Sequence, residues 1–249
     1  MSGPLLIALP SKGRLKEQCE AWLADAGFRL EIEGGARGYR ASLSGLPDAE
    51  VRLLSAGEIA AALDAGEVHL GVTGEDLLRE REGAIEHSLT LLRGLGFGRA
   101  DLVVAAPRSW LDVDSMSDVE AVAHDILAHS GRRLRVATKY PAQTRTFFAA
   151  RHVADYRIVD SQGATEGAPA AGAAELVVDI TTTGATLEAN GLKVLDDGLI
   201  LRSQAQLAAS LAADWSAVRL AAVRRLLGAV EARSRASELT ALSWPADQD

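Results

Sequence analysis

Short apolar runs alternate with longer amphipathic stretches over most of this chain. The apolar runs predict strands at Leu5–Leu9, Phe28–Glu33, Val51–Leu54, Val68–Thr73, Leu102–Ala106, Leu134–Ala137, Tyr156–Val159 and Leu176–Ile180. Helical spacing of apolar residues, with glycine and proline at the ends, predicts helices at Arg14–Ala26, Gly57–Ala65, Asp118–His129, Pro141 to about Arg151 and Thr165–Ala171, and helix starts at Glu75 and near Ala185. Strands that alternate with helices indicate an α/β fold with mainly parallel sheets, covered on both faces.

The C-terminal part has a different pattern, because no strand is predicted between its amphipathic stretches. Ser203–Ala213 and Trp215–Leu239 are predicted to be helical, and the tail Pro245–Asp249 to be disordered. In the second helix the apolar residues recur at heptad-like spacing, with arginines around them: Leu220, Val223, Leu227 and Val230. Two interpretations stay open: the helix packs on its own domain, or it contacts a partner subunit.

Composition limits the classes of function. The chain has 249 residues and a formal net charge of -8, which argues against general binding to nucleic acids or membrane surfaces, since both are polyanions. An anionic ligand must therefore be held by local donors. Cys19 is the single cysteine, so no intrachain disulfide can form, and its place on an apolar helix face predicts a core position.

Targeting signals are not indicated. The N-terminus has no basic start and only a short apolar run, unlike a signal peptide. No apolar stretch approaches the ~20 residues that span a bilayer. We therefore expect a cytoplasmic protein.

The segment Asp179–Thr186 carries the strongest chemical signal. Asp179 stands at the carboxyl end of a predicted buried strand, where open α/β sheets bind ligands. The turn that follows aims backbone N–H groups and hydroxyls at one place, which suits a phosphate, and it consists of Thr181, Thr182, Thr183, Gly184, Ala185 and Thr186. The carboxylate suits a ribose diol, so the segment predicts a ribose-5-phosphate site. The alternative is a threonine-rich turn that only caps a helix.

A second turn places Lys12, Gly13 and Arg14 between a strand and a helix. Cations at a helix N-terminus oppose the helix dipole unless an anion is bound there, which favours a phosphate site. The alternative is a pair of solvated charges beside a Ser11 cap.

Two further turns carry weaker candidates. Gly74 and Asp76 begin a helix after a buried strand, where an ordinary helix cap is the alternative. Thr138 and Lys139 end a strand before a helix that starts with proline, and here the alternative is an exposed lysine. The five histidines match no metal-site spacing, and no Walker loop is present.

Together these motifs resemble the ATP phosphoribosyltransferase family, from roughly Leu5 to Ala209. The residues that keep the spacing of the family signature are Glu166, Gly172, Ala174, Val177, Asp179, Ile180, Thr183, Gly184, Thr186 and Leu187. The other turns, and the run Asn190–Lys193, are similar to the family in residue type and order.

The resemblance implies a two-lobed fold like that of periplasmic binding proteins, with the active site in a cleft between the lobes. The first lobe would contain residues 1–105 and 187–249, and the second lobe residues 106–186. The implied reaction is attack of N1 of ATP on C1 of phosphoribosyl pyrophosphate, with Mg²⁺, which gives phosphoribosyl-ATP and pyrophosphate. This is the first step of histidine biosynthesis.

The resemblance also implies roles for the candidate residues. Asp179 would bind the ribose hydroxyls, and the loop 181–186 would bind the 5-phosphate. Lys12, Gly13 and Arg14 would face polyphosphate groups, and Glu166 would contact ATP.

Two positions depart from the family pattern. Ser55 stands where the family often has an Arg-Pro pair, and His69 stands where an aspartate is often found. No nucleotide contact is carried over to Ser55. The stretch after Ala209 resembles the short form of the family, which implies a homo-oligomer that also assembles with a separate regulatory subunit similar to a histidyl-tRNA synthetase core.

Two other functions remain as alternatives. One is a phosphoribosyltransferase for another base, although that type usually places two adjacent acids before the loop, and here Val178 precedes Asp179. The other is a non-enzymatic binding or sensor protein with the same two-lobed fold, because fold alone does not determine function.

Overall fold

The computed structural model describes residues 3–32, 39–81, 83–161 and 164–242. Its strands are β1 (Leu5–Pro10), β2 (Arg29–Ile32), β3 (Arg40–Ser44), β4 (Ala49–Leu54), β5 (Leu70–Gly74), β6 (Leu89–Gly94), β7 (Ala100–Pro107), β8 (Leu134–Thr138), β9 (Tyr156–Asp160), β10 (Leu176–Thr181), β11 (Leu192–Ser203) and β12 (Ala205–Ser210). Its helices are α1 (Gly13–Asp25), α2 (Ala56–Asp64), α3 (Glu75–Glu80), α4 (Ala84–His87), α5 (Met116–Ser130), α6 (Pro141–Ala150), α7 (Ala185–Ala189) and α8 (Ala217–Leu242). The predicted strand end Glu33 and the tail Pro245–Asp249 lie outside the described residues.

The chain divides into two compact units. The first contains residues 1–98 and 205–249, and the second contains residues 99–204. The divisions that the family resemblance implies lie after Ala105 and Thr186 instead. The difference arises because β7 pairs with both β10 and β11, so all three strands belong to the sheet of the second unit.

The sheet of the first unit has the order β2-β3-β4-β1-β5-β12-β6, in which β1 is parallel to β4 and to β5 and the other pairs are antiparallel. Alternate residues of β1 face opposite sides, as the pleat requires. Ile7 packs in a core with α1 and α8, whereas Ala8 packs against α2 and α3. Cys19 lies in the first of these cores, as predicted, and burial raises its pKa to about 12.

The predicted helix Ser203–Ala213 is wrong. Residues 205–210 form β12, a fully buried strand between β5 and β6. Its alanine, leucine and glutamine residues favour a helix in isolation. Burial on both faces of a central strand outweighs that preference, and the small alanines allow helices to approach both faces of the sheet.

Helix α8 packs on the first unit itself. Ala222, Val223, Leu226 and Val230 belong to the same core as α1, while Leu220 is 42% exposed. Of the two interpretations of this helix, the described side chains favour packing on its own unit. Arg219 adds a polar anchor, because its Nε donates to the carbonyl of Pro4 at 3.2 Å.

The sheet of the second unit has the order β11-β7-β10-β8-β9. Strands β10, β8 and β9 are parallel, whereas β7 is antiparallel to β10 and β11. The predicted α/β class is confirmed, but both sheets are mixed rather than mainly parallel. The predicted helix Thr165–Ala171 is reduced to a single 3-10 turn at Thr165–Gly167. Among the described residues, no helix has the length and apolar composition needed to cross a membrane.

Candidate active site

Three parallel strands of the second unit end side by side. In their register, Thr138 of β8 lies between Val178 of β10 and Asp160 of β9. In the sequence, Lys139 follows Thr138 and Asp179 follows Val178. Two predicted site residues are thus brought to the same edge of one sheet, the edge where parallel strands bind ligands.

Asp179 is a partly buried carboxylate with a second acid beside it. Burial raises its pKa, and the negative charge of Glu166 raises it further. The backbone N–H of Ile180 donates to Oδ1 at 2.8 Å, and this bond, Lys139 and the Thr165 hydroxyl act in the opposite direction. Glu166 lies in the 3-10 turn that contacts β10. The structure therefore places Glu166 near Asp179.

The loop after Asp179 is held by its own threonines. The backbone N–H of Gly184 donates to Thr181 Oγ1 at 2.9 Å, and that of Ala185 donates to Thr183 Oγ1 at 3.4 Å. Gly184 has φ of 78°, a left-handed conformation that strains other residues. Thr182, Thr183 and Thr186 are exposed, so their hydroxyls are accessible to a ligand.

The α1 N-terminus lacks the features of an ordinary cap. Lys12 is the N-cap residue, no side chain caps the helix, and the first turn contains no acid. The Ser11 cap is therefore not formed. Lys12 and Arg14 are exposed. Helices α2 and α5 begin with complete capping boxes, whereas α3, α6 and α7 lack a side-chain cap as α1 does, so the feature that sets α1 apart is the pair of cations at its uncapped N–H groups.

Gly74 and Asp76 begin α3, and packing explains the glycine. A Cβ atom on Gly74 would lie 2.3 Å from Oδ1 of Asp76, which is itself buried. The carboxylate of Glu75 accepts hydrogen bonds from Arg79 at 2.7 Å and from Gln206 at 2.8 Å. Hydrogen bonds to α3 and to β12 therefore fix this turn within the first unit.

Thr138 and Lys139 have different environments. Thr138 is buried, and its Oγ1 accepts a hydrogen bond from the backbone N–H of Tyr140 at 2.9 Å. Lys139 is exposed. Thr138 therefore shapes the turn into α6, while Lys139 supplies the accessible charge beside Asp179.

Comparison with known proteins decides the family. The family model described as "ATP phosphoribosyltransferase" matches residues 55–232, more than half of the chain. An ATP phosphoribosyltransferase of Caulobacter vibrioides is 70% identical over 249 residues, which is 100% of this chain and 78% of that protein. The chain belongs to the ATP phosphoribosyltransferase family.

Solved structures agree with this family and with the predicted fold. A chain of the ATP phosphoribosyl transferase (HisG:HisZ) complex from Thermotoga maritima is 25% identical with a TM-score of 0.67, and the match covers 92% of this chain and 99% of that chain. A histidine kinase sensor domain with similarity to periplasmic binding proteins is 13% identical, covers 96% of this chain and 93% of that chain, and has a TM-score of 0.53, which shows the fold alone.

Membership in the ATP phosphoribosyltransferase family confirms the expected activity. The chain is an enzyme that transfers a phosphoribosyl group to ATP at the first step of histidine biosynthesis. The comparisons do not favour a binding or sensor protein, or transfer to another base.

The two departures from the ATP phosphoribosyltransferase pattern have structural roles here. Ser55 caps α2 in a capping box with Glu58. His69 is buried, with Nδ1 accepting from the N–H of Leu6 at 3.0 Å and Nε2 lying 3.1 Å from the carbonyl oxygen of Asp214. Because Nδ1 is an acceptor, Nε2 carries the proton and the ring is neutral. Burial lowers the pKa of His69, which agrees with a neutral ring.

Sequence reasoning missed one pocket of the second unit. Its volume is about 420 Å³, and its lining includes Arg99, Asp101, Thr182 and Arg202. Thr182 belongs to the loop that the sequence predicts. Arg99 directly precedes β7 and Arg202 lies in β11, so both arginines are outside that loop in the sequence. No local motif surrounds them, so only the pairing of these strands reveals the pocket.

Proposed function

We propose that the edge formed by β8, β9 and β10 binds phosphoribosyl pyrophosphate for transfer to N1 of ATP. The observation that carries the proposal is the proximity of Asp179 and Glu166 immediately before the loop 181–186. A carboxylate pair can accept hydrogen bonds from both hydroxyls of a ribose diol. Glu166, to which the resemblance gives a contact with ATP, is thus proposed to act at the ribose instead. Phosphoribosyltransferases for other bases usually place two adjacent acids before the loop, whereas here the second acid comes from a separate turn.

The loop 181–186 suits the 5-phosphate of the same substrate. Its threonine hydroxyls accept hydrogen bonds from the loop amides, so the hydroxyl protons are available to phosphate oxygens. Thr182, Thr183 and Thr186 add exposed donors, and Gly184 permits close approach of the backbone. A ribose whose diol lies at Asp179 would direct its 5-phosphate toward this loop.

Charge stabilisation and positioning carry the proposed chemistry. N1 of adenine forms a bond to C1 of the ribose while the bond from C1 to the diphosphate oxygen breaks, and the electron pair leaves with the diphosphate. The ring gains positive charge during this step, which the Asp179 carboxylate stabilises. Lys139 would orient the anionic substrate beside it.

Mg²⁺ is the proposed cofactor, and it would neutralise diphosphate charge when bound. Among the described residues, no group of three or more histidine, cysteine or acidic side chains could hold a metal ion. We propose that Mg²⁺ is bound mostly through the substrate phosphates, as Mg²⁺ often is in proteins.

The first unit supplies the proposed contacts for ATP. The uncapped N-terminus of α1 and the exposed charges of Lys12 and Arg14 suit polyphosphate oxygens. Gly13 has φ of 76°, so a glycine is needed for this turn. Gly74 and Asp76 are proposed to shape the turn into α3, and Thr138 of the second unit is proposed to shape the turn into α6.

A separate regulatory subunit is the proposed partner. The related Thermotoga chain belongs to a HisG:HisZ complex, and we extend such an assembly to this chain. We propose that the regulatory subunit is similar to a histidyl-tRNA synthetase core. We also propose that this chain forms a homo-oligomer and that the assembly is cytoplasmic.

The test compares Asp179→Asn, Glu166→Gln and the control Glu188→Gln. Glu188 is an exposed acid of α7 that forms an ion pair with Arg108 at 2.7 Å. Its replacement measures the effect of removing one negative charge outside the proposed site. Formation of phosphoribosyl-ATP is followed by mass spectrometry, with and without the regulatory subunit, and binding of phosphoribosyl pyrophosphate by calorimetry. We expect both site variants to weaken binding at least tenfold, and the control to stay within twofold. If neither site variant changed the affinity for phosphoribosyl pyrophosphate, Asp179 and Glu166 would not be ligands of this substrate.

A further inference from the structure

Thr165 is a buried threonine beside the proposed ribose site. It is 0% exposed in the 3-10 turn Thr165–Gly167, so a ligand has no access to it. A hydroxyl that is buried without a hydrogen-bond partner costs free energy, and buried polar side chains are therefore nearly always bonded. The partners of this hydroxyl indicate its role.

The Thr165 hydroxyl lies between a donor and an acceptor. Oγ of Ser161 donates to Oγ1 of Thr165 at 2.9 Å, and the Thr165 hydroxyl is hydrogen-bonded to the carboxylate of Asp179. An ionised carboxylate has no proton to donate, so Thr165 is the donor in the second bond. The two bonds therefore have one consistent direction, from Ser161 through Thr165 to Asp179.

Two donors thus hold the Asp179 side chain. The backbone N–H of Ile180 donates to Oδ1 at 2.8 Å, and Thr165 adds a donor from a separate element, the turn that contacts β10. A carboxylate that is already held by two donors loses less rotational freedom when a ligand binds. The next residue of the same turn is Glu166, the other proposed ribose ligand, so the bond from Thr165 also links the two acids.

The same bond affects the charge of Asp179. Burial and the negative charge of Glu166 raise the pKa of Asp179, whereas the bond from Thr165 lowers it. A hydrogen bond that is donated to a carboxylate favours the ionised form. The ionised form has acceptors for both hydroxyls of a ribose. The buried hydroxyl therefore favours both the position and the charge state that the ribose requires.

We propose that Thr165 is a positioning residue for phosphoribosyl transfer: its hydroxyl, oriented by Ser161, holds the Asp179 carboxylate where it binds the ribose hydroxyls of phosphoribosyl pyrophosphate. The proposal rests on the proposed function, in which Asp179 binds this ribose. Thr165 acts without touching the substrate, because it is buried. Its effect passes through Asp179, which distinguishes it from a threonine that only stabilises the turn.

Thr165→Val removes the hydroxyl with little change of shape, and Thr165→Ser keeps it. Thr144→Val is the matched control, because Thr144 is equally buried in the same unit and its hydroxyl donates to the carbonyl of Tyr140 at 2.7 Å. Calorimetry should show binding of phosphoribosyl pyrophosphate weakened about tenfold by Thr165→Val, the effect of one lost hydrogen bond to a charged group. The other two variants should stay within about twofold of the wild type. Equal affinities of Thr165→Val and Thr144→Val overturn the proposal.

Ser161→Ala gives a second measurement in which Thr165 stays in place. Ser161 is only partly buried, so its replacement disturbs the fold less, and urea titrations check that each variant is folded. The affinity should fall about threefold, because Thr165 keeps its proton but loses the partner that orients it. If Thr165→Val does not fold, an unchanged affinity of Ser161→Ala overturns the proposal.

The pH profile of kcat/KM for phosphoribosyl pyrophosphate separates positioning from a structural role. Loss of the Thr165 bond should raise the pKa of Asp179 further, because the ionised carboxylate has lost a donor. Binding by the ionised carboxylate is lost as pH falls through this pKa, so the acidic limb should lie at higher pH in Thr165→Val than in the wild type. Thr165→Ser and Thr144→Val should keep the wild-type limb. An unmoved limb in Thr165→Val contradicts the proposal.

A double-mutant cycle with Asp179→Ala distinguishes this proposal from the proposed function. In the Asp179→Ala background, Thr165→Val should not weaken binding of phosphoribosyl pyrophosphate further, because the acceptor of its hydrogen bond is gone. If Thr165→Val weakens binding equally in both backgrounds, Thr165 acts independently of Asp179, and only the positioning role fails. If Asp179→Ala alone binds the substrate normally, Asp179 is not a ribose ligand, and the proposed function fails as well.

Discussion

The hydroxyl oxygen of Thr181 accepts a hydrogen bond from the backbone N–H of Gly184 at 2.9 Å. This bond closes the turn between β10 and α7, and in the proposed function it leaves the hydroxyl proton free for an incoming phosphate. The turn is therefore preformed by its own side chains, so less conformational freedom is lost when a ligand binds.

Replacing Thr181 with valine should weaken binding of phosphoribosyl pyrophosphate about tenfold. Valine keeps the branched shape but leaves the Gly184 amide without this acceptor, a loss that typically amounts to ~1 kcal/mol or more. Calorimetric titration measures the change. Thr146→Val is the control, because the exposed Thr146 hydroxyl donates only to the carbonyl of Ala142 within α6. Equal affinities for the two variants would contradict the role of Thr181.

Replacing Gly184 with alanine should destabilise the protein by about 1–2 kcal/mol, the cost of a left-handed conformation for a residue with a Cβ atom. No atom lies within 4 Å of the added Cβ, so conformational strain is the only expected cost. Gly57→Ala in α2 is a suitable control, since that site has no positive φ and also has open space. It should be neutral or stabilising in a urea titration. A neutral Gly184→Ala would show that the loop relaxes freely.

The Asp179→Asn variant should be more stable than the wild type at pH 7 while losing activity. Burial and the nearby Glu166 raise the pKa of Asp179, so the fold disfavours its ionised form at pH 7. A neutral isostere removes that penalty and can still accept from the N–H of Ile180. Urea unfolding at pH 7 and pH 4 gives the check: the gain should be largest at pH 7 and shrink once the wild-type carboxyl is protonated. If Asp179→Asn were less stable than the wild type at pH 7, the ionised carboxylate of Asp179 would not be destabilising the fold.

His69 should make stability depend on pH. Burial lowers its pKa below the ordinary value of 6.5, so the unfolded state binds the proton more readily than the folded state. The stabilisation is complete above pH 6.5 and is lost as pH falls through the lowered pKa. Unfolding free energies of wild type and His69→Gln between pH 8 and pH 5 should therefore converge toward acid pH. Parallel curves for the two proteins would exclude His69 as the source.

The sequence locates the candidate site better than it locates the fold around it. Asp179 and Gly184 belong to a strand–turn–helix unit whose pattern is local, so their neighbourhood could be predicted from residue types alone. The position of Glu166 beside Asp179 depends on a 3-10 turn folding against β10. Helical periodicity gives no sign of that turn's direction.

Long-range pairing explains the remaining differences. The segment 205–210 forms a strand because it pairs with β5 and β6. The residues of the segment itself do not encode the presence of these two distant strands. Arg202 acquires Asp101 as a neighbour only through the antiparallel pairing of β11 with β7. Both relationships join residues about a hundred positions apart or more, where local propensity carries no information.

Strand β12 also sets an order of events during synthesis. The second unit is one uninterrupted segment, residues 99–204, whereas the first unit needs β12 between β5 and β6. As the chain leaves the ribosome, the second unit has all of its strands before the first sheet can close. A released, truncated chain that ends before Ala205 should therefore have a protease-resistant second unit while β6 remains susceptible. The earlier-made half of the protein then finishes folding last.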